Sequence, residues 1–209
     1  MTAFNQAESS SSKKAAEILL LLITWFAVLL QLAILKDSIF NFISYFTILC
    51  NLLVALSLSA KVASPRSKIG RYFSLVTVQT GIALDIFIVG LVYNTVLRGI
   101  WEPKGWQLVA DNLLHVIVPF LYVLYWIICT AKGALKWKDG FAWAYFPFVY
   151  LIYSLIRGHF VDWYPYPFLN VMELGYAKVF INAGFVLVAF LLFGSLFIWA
   201  DRLLKSKKY

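Results

Sequence analysis

A hydroxyl becomes a useful nucleophile only when a neighbouring base takes its proton, and Thr47 and His115 are the residues here whose types and positions fit that chemistry. Thr47 falls between Ser44 and Asn51 at spacings i, i+3 and i+7, which places all three on one helical face within an apolar stretch. Asp111, His115 and Pro119 are separated by four and stack on one face of another stretch. Asp111 is placed to reach a ring nitrogen of His115 and fix its tautomer. Pro119 has no N–H, so the carbonyl of His115 is expected to lose its helical partner and the helix to kink there. Asn51, one turn deeper than Thr47, is a candidate donor to a developing oxyanion. Packing explains the same residues: Ser and Thr bond their own helix carbonyls, and a histidine bonds a neighbouring helix.

Depth ties the two stretches together. Thr47 lies 8 residues past Ile39 and His115 lies 7 past Leu108, so both are expected roughly 10–12 Å below the same membrane face at 1.5 Å per residue. Asp85 is the other intramembrane polar residue that asks for a reason. Counted from Leu97 it lies about 18 Å down, where a carboxylate is protonated, paired or part of an ion path. Arg157 is its nearest cationic candidate by helix end, with Asp162 and Glu173 as alternative partners for that arginine. His159 is expected in an exposed loop.

These residues belong to a chain that composition assigns to lipid. Of 209 residues, 62% are hydrophobic and 13% charged, far from the near-half and quarter of a soluble domain. A core of this size cannot hide that much apolar surface from water. A soluble enzyme, a disordered chain and a nucleic-acid binder are thereby excluded. Cys50 and Cys129 are too few for a disulfide framework or a structural zinc site, and their depths differ too much for a bridge. No metal or cofactor is expected.

Six stretches are long enough to span a bilayer: 18–35, 39–60, 72–97, 108–130, 141–156 and 176–200. Unpaired backbone groups are costly in lipid, so the expected fold is all-α, a six-helix transmembrane bundle. The fifth span, the shortest, is expected to be tilted, thinned against or partly re-entrant. Residues 1–17, with the Ser9 to Ser12 run, read as a flexible cytoplasmic tail, 18–200 as the membrane domain, and 201–209 as a basic cytoplasmic tail. Lys205, Lys207 and Lys208 there suit anionic headgroups. Of the 18 basic residues, 13 fall in the two tails and the second and fourth loops, and 5 on the opposite side. The positive-inside rule therefore puts both termini in the cytoplasm of a multi-pass cell-membrane protein. Trp101, Trp106 and the aromatic run from Trp163 to Phe168 read as interfacial anchors on the other face.

Several runs occur together in order: SYFTILCNLLV from Ser44 to Val54, LHVIVP from Leu114 to Pro119, Arg157 and Gly158 followed by YPYPF from Tyr164, and a closing WADR from Trp199. In these the chain resembles the bacterial six-span integral membrane family called Pr6Pr, over nearly its whole length. That family is distantly similar to the eukaryotic androgen-induced six-span lipid hydrolases, which cleave fatty acid esters of hydroxy fatty acids with a threonine and a histidine. The resemblance implies Thr47 as nucleophile and His115 as base. The chain departs from those enzymes in a shorter histidine-to-proline interval and in having Cys50 and Asn51 where they carry an acidic residue.

Two readings follow. The first is a membrane-embedded hydrolase of a lipid ester, with Thr47 attacking, His115 as base, Asp111 orienting it and Asn51 at the oxyanion. The second is a non-enzymatic lipid-binding protein or small-solute transporter, with Asp85 central and Thr47, Asn51 and His115 along the route. Both have membrane lipids as partners, the first a lipid ester as substrate, and neither a nucleic acid.

Overall fold

The computed structural model describes residues 3–100 and 102–205, with side chains from residue 11 onward. Trp101, expected as an anchor, and Lys207, Lys208 and Tyr209 of the basic ending lie outside the described residues. The described chain is α-helical: α1 Ala3–Ala33, α2 Ile39–Phe42, α3 Phe46–Ala63, α4 Lys68–Phe73, α5 Val76–Val92, α6 Trp106–Asn112, α7 Val118–Cys129, α8 Trp137–Trp143, α9 Tyr145–Val161 and α10 Val171–Leu203. Among the described residues, six helical stretches are long and apolar enough to cross a membrane: Ser11–Ala33, Phe46–Ala63, Val76–Leu97, Trp106–Cys129, Trp137–Val161 and Val171–Leu203. The protein is a multi-pass membrane bundle. Many large apolar side chains, such as Phe141 and Phe185, face outward, as lipid contact requires.

Where the helices break, the sequence gives the reason. Pro147 cannot donate the bond that Trp143 O would accept, so α8 ends at Trp143 and α9 begins at Tyr145. Two short helices thus make up a fifth span of 25 residues. The expected 16-residue span at 141–156 is corrected accordingly: charged Lys138 and Asp139 begin it, and its end reaches Val161. Pro119 acts likewise on the fourth span. The chain passes it through a wide π turn, Leu113–Ile117, between α6 and α7. A second π turn, Tyr93–Leu97, closes the third span. Such widened turns re-aim side chains and recur at functional sites.

The second span is interrupted. α2 ends at Phe42 and α3 begins at Phe46, so Ser44 lies in the break and not on one continuous stripe with Thr47 and Asn51. The break is held by side chains: Tyr150 donates to Ser44 O at 2.9 Å, and Ser44 Oγ pairs with the Tyr153 hydroxyl at 2.7 Å. The sixth span bends at Gly175, whose φ of 71° belongs to the left-handed region, so its straight run begins near the expected Tyr176.

The ends of the membrane domain are also corrected. Residues 3–17 continue α1 instead of forming a flexible tail, and Glu17 is buried. It meets Lys61 at 2.8 Å, which was expected in a loop. Tyr125 donates to Glu17 at 2.6 Å, and Lys61 donates to Gln79 at 3.1 Å and to the Tyr125 hydroxyl. This network joins α1, α3, α5 and α7. At the other expected tail, α10 runs on to Leu203, and buried Asp201 accepts from the Leu135 N–H at 3.1 Å.

Candidate functional site

The break before α3 puts Thr47 in the first turn of a helix, where backbone N–H groups have no helical partner. Tyr45, the residue before that turn, supplies no side-chain cap. The hydroxyl of Tyr166 takes that role, accepting from Thr47 N at 3.2 Å. It also lies 3.2 Å from Thr47 Oγ1. On the other side of the same oxygen, His115 Nε2 stands 3.2 Å away. The π turn carries His115 and turns its ring toward α3.

The remaining ring nitrogen is anchored. His115 Nδ1 lies 3.0 Å from the Asp111 carbonyl oxygen and 3.4 Å from its carboxylate Oδ1. The other carboxylate oxygen accepts from the Tyr93 hydroxyl. The Tyr93 ring stacks on the imidazole at 4.1 Å with 16° between planes. One direction of donation satisfies every group: Tyr166 O–H to Thr47 Oγ1, Thr47 O–H to His115 Nε2, and His115 Nδ1–H to Asp111. Desolvation of the Tyr166 phenol pushes it up to about 12, so it is a protonated donor at neutral pH.

Asn51 does something other than the expected oxyanion donation. Its amide donates to Thr47 O at 2.8 Å and to Leu114 O at 3.2 Å, bridging the first turn of α3 to the π turn. With both protons used, it has none for a substrate. Its Oδ1 is buried without a partner. Asp85 also has a buried, unpartnered Oδ1, and it does not line the cavity described below. Arg157 pairs with neither Asp85 nor Asp162 nor Glu173: it donates to Asn41 Oδ1 at 2.6 Å and sits 4.8 Å over the Trp163 ring. His159 is exposed.

Thr47, His115, Tyr93 and Tyr166 form the polar wall of an otherwise apolar cavity of 380 Å³. α5, α9 and α10 supply most of the rest, with Phe46 of α3, Leu97 of the second π turn, and Phe168 and Leu169 of the loop before α10. Of the cavity-lining residues, Phe148 on α9 and Phe180 and Leu187 on α10 stay about half exposed, at 58%, 56% and 48%. They mark an opening between these helices toward lipid. Gly184 lies at that edge, and a Cβ there would meet nothing within 4 Å. The aromatic run expected only to anchor the protein at the interface instead folds inward. Trp163 and Tyr166 both pack edgewise on Tyr45, at 5.6 and 5.7 Å, and Phe168 stacks on Tyr166 at 5.2 Å.

The structure thus brings Thr47, His115 and Asp111 together, seats Asn51 beneath them and leaves Asp85 apart. Tyr93 and Tyr166 are the additions. Tyr166 carried one signal, a tyrosine between two prolines, Pro165 and Pro167, that stiffen its loop. Tyr93 carried none. Comparison with known family models, curated proteins and solved structures finds no match to the chain.

Proposed function

We propose that the protein hydrolyses fatty-acyl esters taken from the bilayer, with Thr47 as nucleophile and His115 as general base. The observation that carries this reading is the 3.2 Å approach of His115 Nε2 to Thr47 Oγ1 at the wall of an apolar cavity. That is the outer edge of the range for proton transfer in a site without substrate. Thr47 Oγ1 bonds to the ester carbonyl carbon as its proton passes to Nε2. The C–O bond to the alcohol then breaks, and the alcohol leaves with that proton. Water, deprotonated by the same nitrogen, cleaves the acyl-threonine and frees a fatty acid.

Asp111 holds the tautomer that leaves Nε2 free to accept, and Tyr93 holds Asp111. Tyr166, whose one proton lies on Thr47 Oγ1 before attack, can turn that proton to the developing oxyanion once Oγ1 bonds to carbon, the role that Asn51 cannot fill. The resemblance of the Ser44 to Val54 and Leu114 to Pro119 runs to the Pr6Pr family, itself distantly similar to six-span hydrolases, supports the same assignment of Thr47 and His115. The excess of basic residues on one side supports a cell-membrane protein with both termini cytoplasmic and the site in the outer half of the bilayer.

The test is purified protein treated with a fluorophosphonate probe and with long-chain acyl esters. Labelling and turnover are expected in the unaltered protein and in Asp85→Ala, and are expected to be lost in Thr47→Ala and His115→Ala. Folded protein that binds esters but neither labels nor turns them over would leave the lipid-binding reading in its place.

A further inference from the structure

One side chain lines both the 380 Å³ cavity and a second space. Phe190 lines that cavity, and on its other side it lines a groove of 250 Å³ between α8 and α10. The ring is 3% exposed, and Phe46 meets it edgewise at 6.5 Å. Helical side chains lean toward the N-terminus, so this ring lies over the preceding turn, against the cavity. Beyond it Gly140, Gly194 and Ser195 leave room in the groove between the larger Trp137, Phe141 and Ile198. A Cβ on Gly140 would meet only Ile198, at 3.6 Å.

We propose that Phe190 is the end-stop that sets the length of acyl chain the site accepts, which rests on reading the cavity as the acyl pocket. Along α10, Phe180 to Phe190 rises about 15 Å and Phe190 to Ile198 about 12 Å more, at 1.5 Å per residue. An extended hydrocarbon with bonds near 1.5 Å advances roughly 1.25 Å per carbon, so the first length suits roughly twelve carbons and the second roughly ten more. A chain leaving lipid gains nothing from burial as such, because lipid tails are equally apolar. Selection by length must therefore be steric, and the buried Phe190 ring, one turn beyond the half-exposed Leu187, performs it. The substrate class is accordingly an ester whose acyl part is of medium length, and removal of the ring joins the two spaces.

The experiment measures binding of a homologous series of saturated fatty acyl methyl esters, short to very long, by displacement of a fluorescent fatty acid. It uses Thr47→Ala protein, so that no ester is consumed, alone and combined with Phe190→Ala, Phe190→Leu or Phe190→Trp. The preferred chain is expected to lengthen by roughly four to ten carbons in Phe190→Ala. It should lengthen less in Phe190→Leu and shorten in Phe190→Trp. If the alanine variant does not fold, the leucine and tryptophan variants decide by their opposite shifts. One optimum shared by all folded variants, or no saturable ester binding at all, overturns the proposal. A shifted optimum in protein that has Thr47 yet turns over no ester would sustain the end-stop and sink the hydrolytic reading. Turnover with an unmoved optimum would do the reverse.

Discussion

Tyr166→Phe removes one oxygen and separates two roles for it. In the first, the hydroxyl merely caps α3: without it the Thr47 N–H loses its 3.2 Å partner, at a cost of about 1–3 kcal/mol for a buried donor left unsatisfied. In the second, the hydroxyl also donates to charge that develops on the substrate, and removing such a donor slows turnover by roughly 10²–10³-fold. The two are read by different assays. Thermal unfolding in detergent reports the cap. The rate of ester hydrolysis at saturating substrate, taken well below the melting midpoint, reports the donor. Both are expected to fall, with KM little changed because the ring that lines the cavity remains. A variant that melts earlier but turns over at the unaltered rate would refute the catalytic assignment of Tyr166 and leave it a cap.

Other outcomes follow from the same contacts. Asn51→Leu keeps the side chain's size but breaks both bonds of the bridge between α3 and the π turn. It is expected to destabilise by about 1–3 kcal/mol and to slow turnover through a displaced His115; unaltered melting would show the bridge to be idle. Lys61→Met strands the buried Glu17 carboxylate and should cost about 3–5 kcal/mol. Adding Glu17→Gln should recover part of that, and a melting curve that does not recover refutes the pairing. Gly184→Trp should close the lipid-side opening and abolish labelling of Thr47 by a long-chain probe while leaving labelling by a short one, with probe length as the readout.

Much of this protein was legible from one dimension because lipid imposes a one-dimensional rule. A span must be apolar for about 20 residues, so six spans could be counted, and counting along two of them anticipated that Thr47 and His115 meet at one level. Pro119 announced its own disruption, since a missing N–H is a local fact. The errors lie where charge interrupts an apolar run. Glu17 and Lys61 were assigned to tail and loop because isolated charges look like boundaries, yet paired across helices they are buried. Lys138 and Asp139 at one end and Arg157 at the other shortened the apparent fifth span, which runs from Trp137 to Val161.

Composition, spacing and apolar runs by themselves determined a six-span helical membrane bundle and the shared depth of its hydroxyl and imidazole. Only the tertiary structure decided which helix faces meet. That depends on the rotation of each helix about its own axis, which small breaks and π turns reset, and on packing between residues far apart in sequence. So the sequence put Asn51 at the oxyanion, whereas the fold spends its amide on two carbonyls. The fold also brings Tyr166 from a loop 119 positions away to the nucleophile, where no periodicity could have announced it.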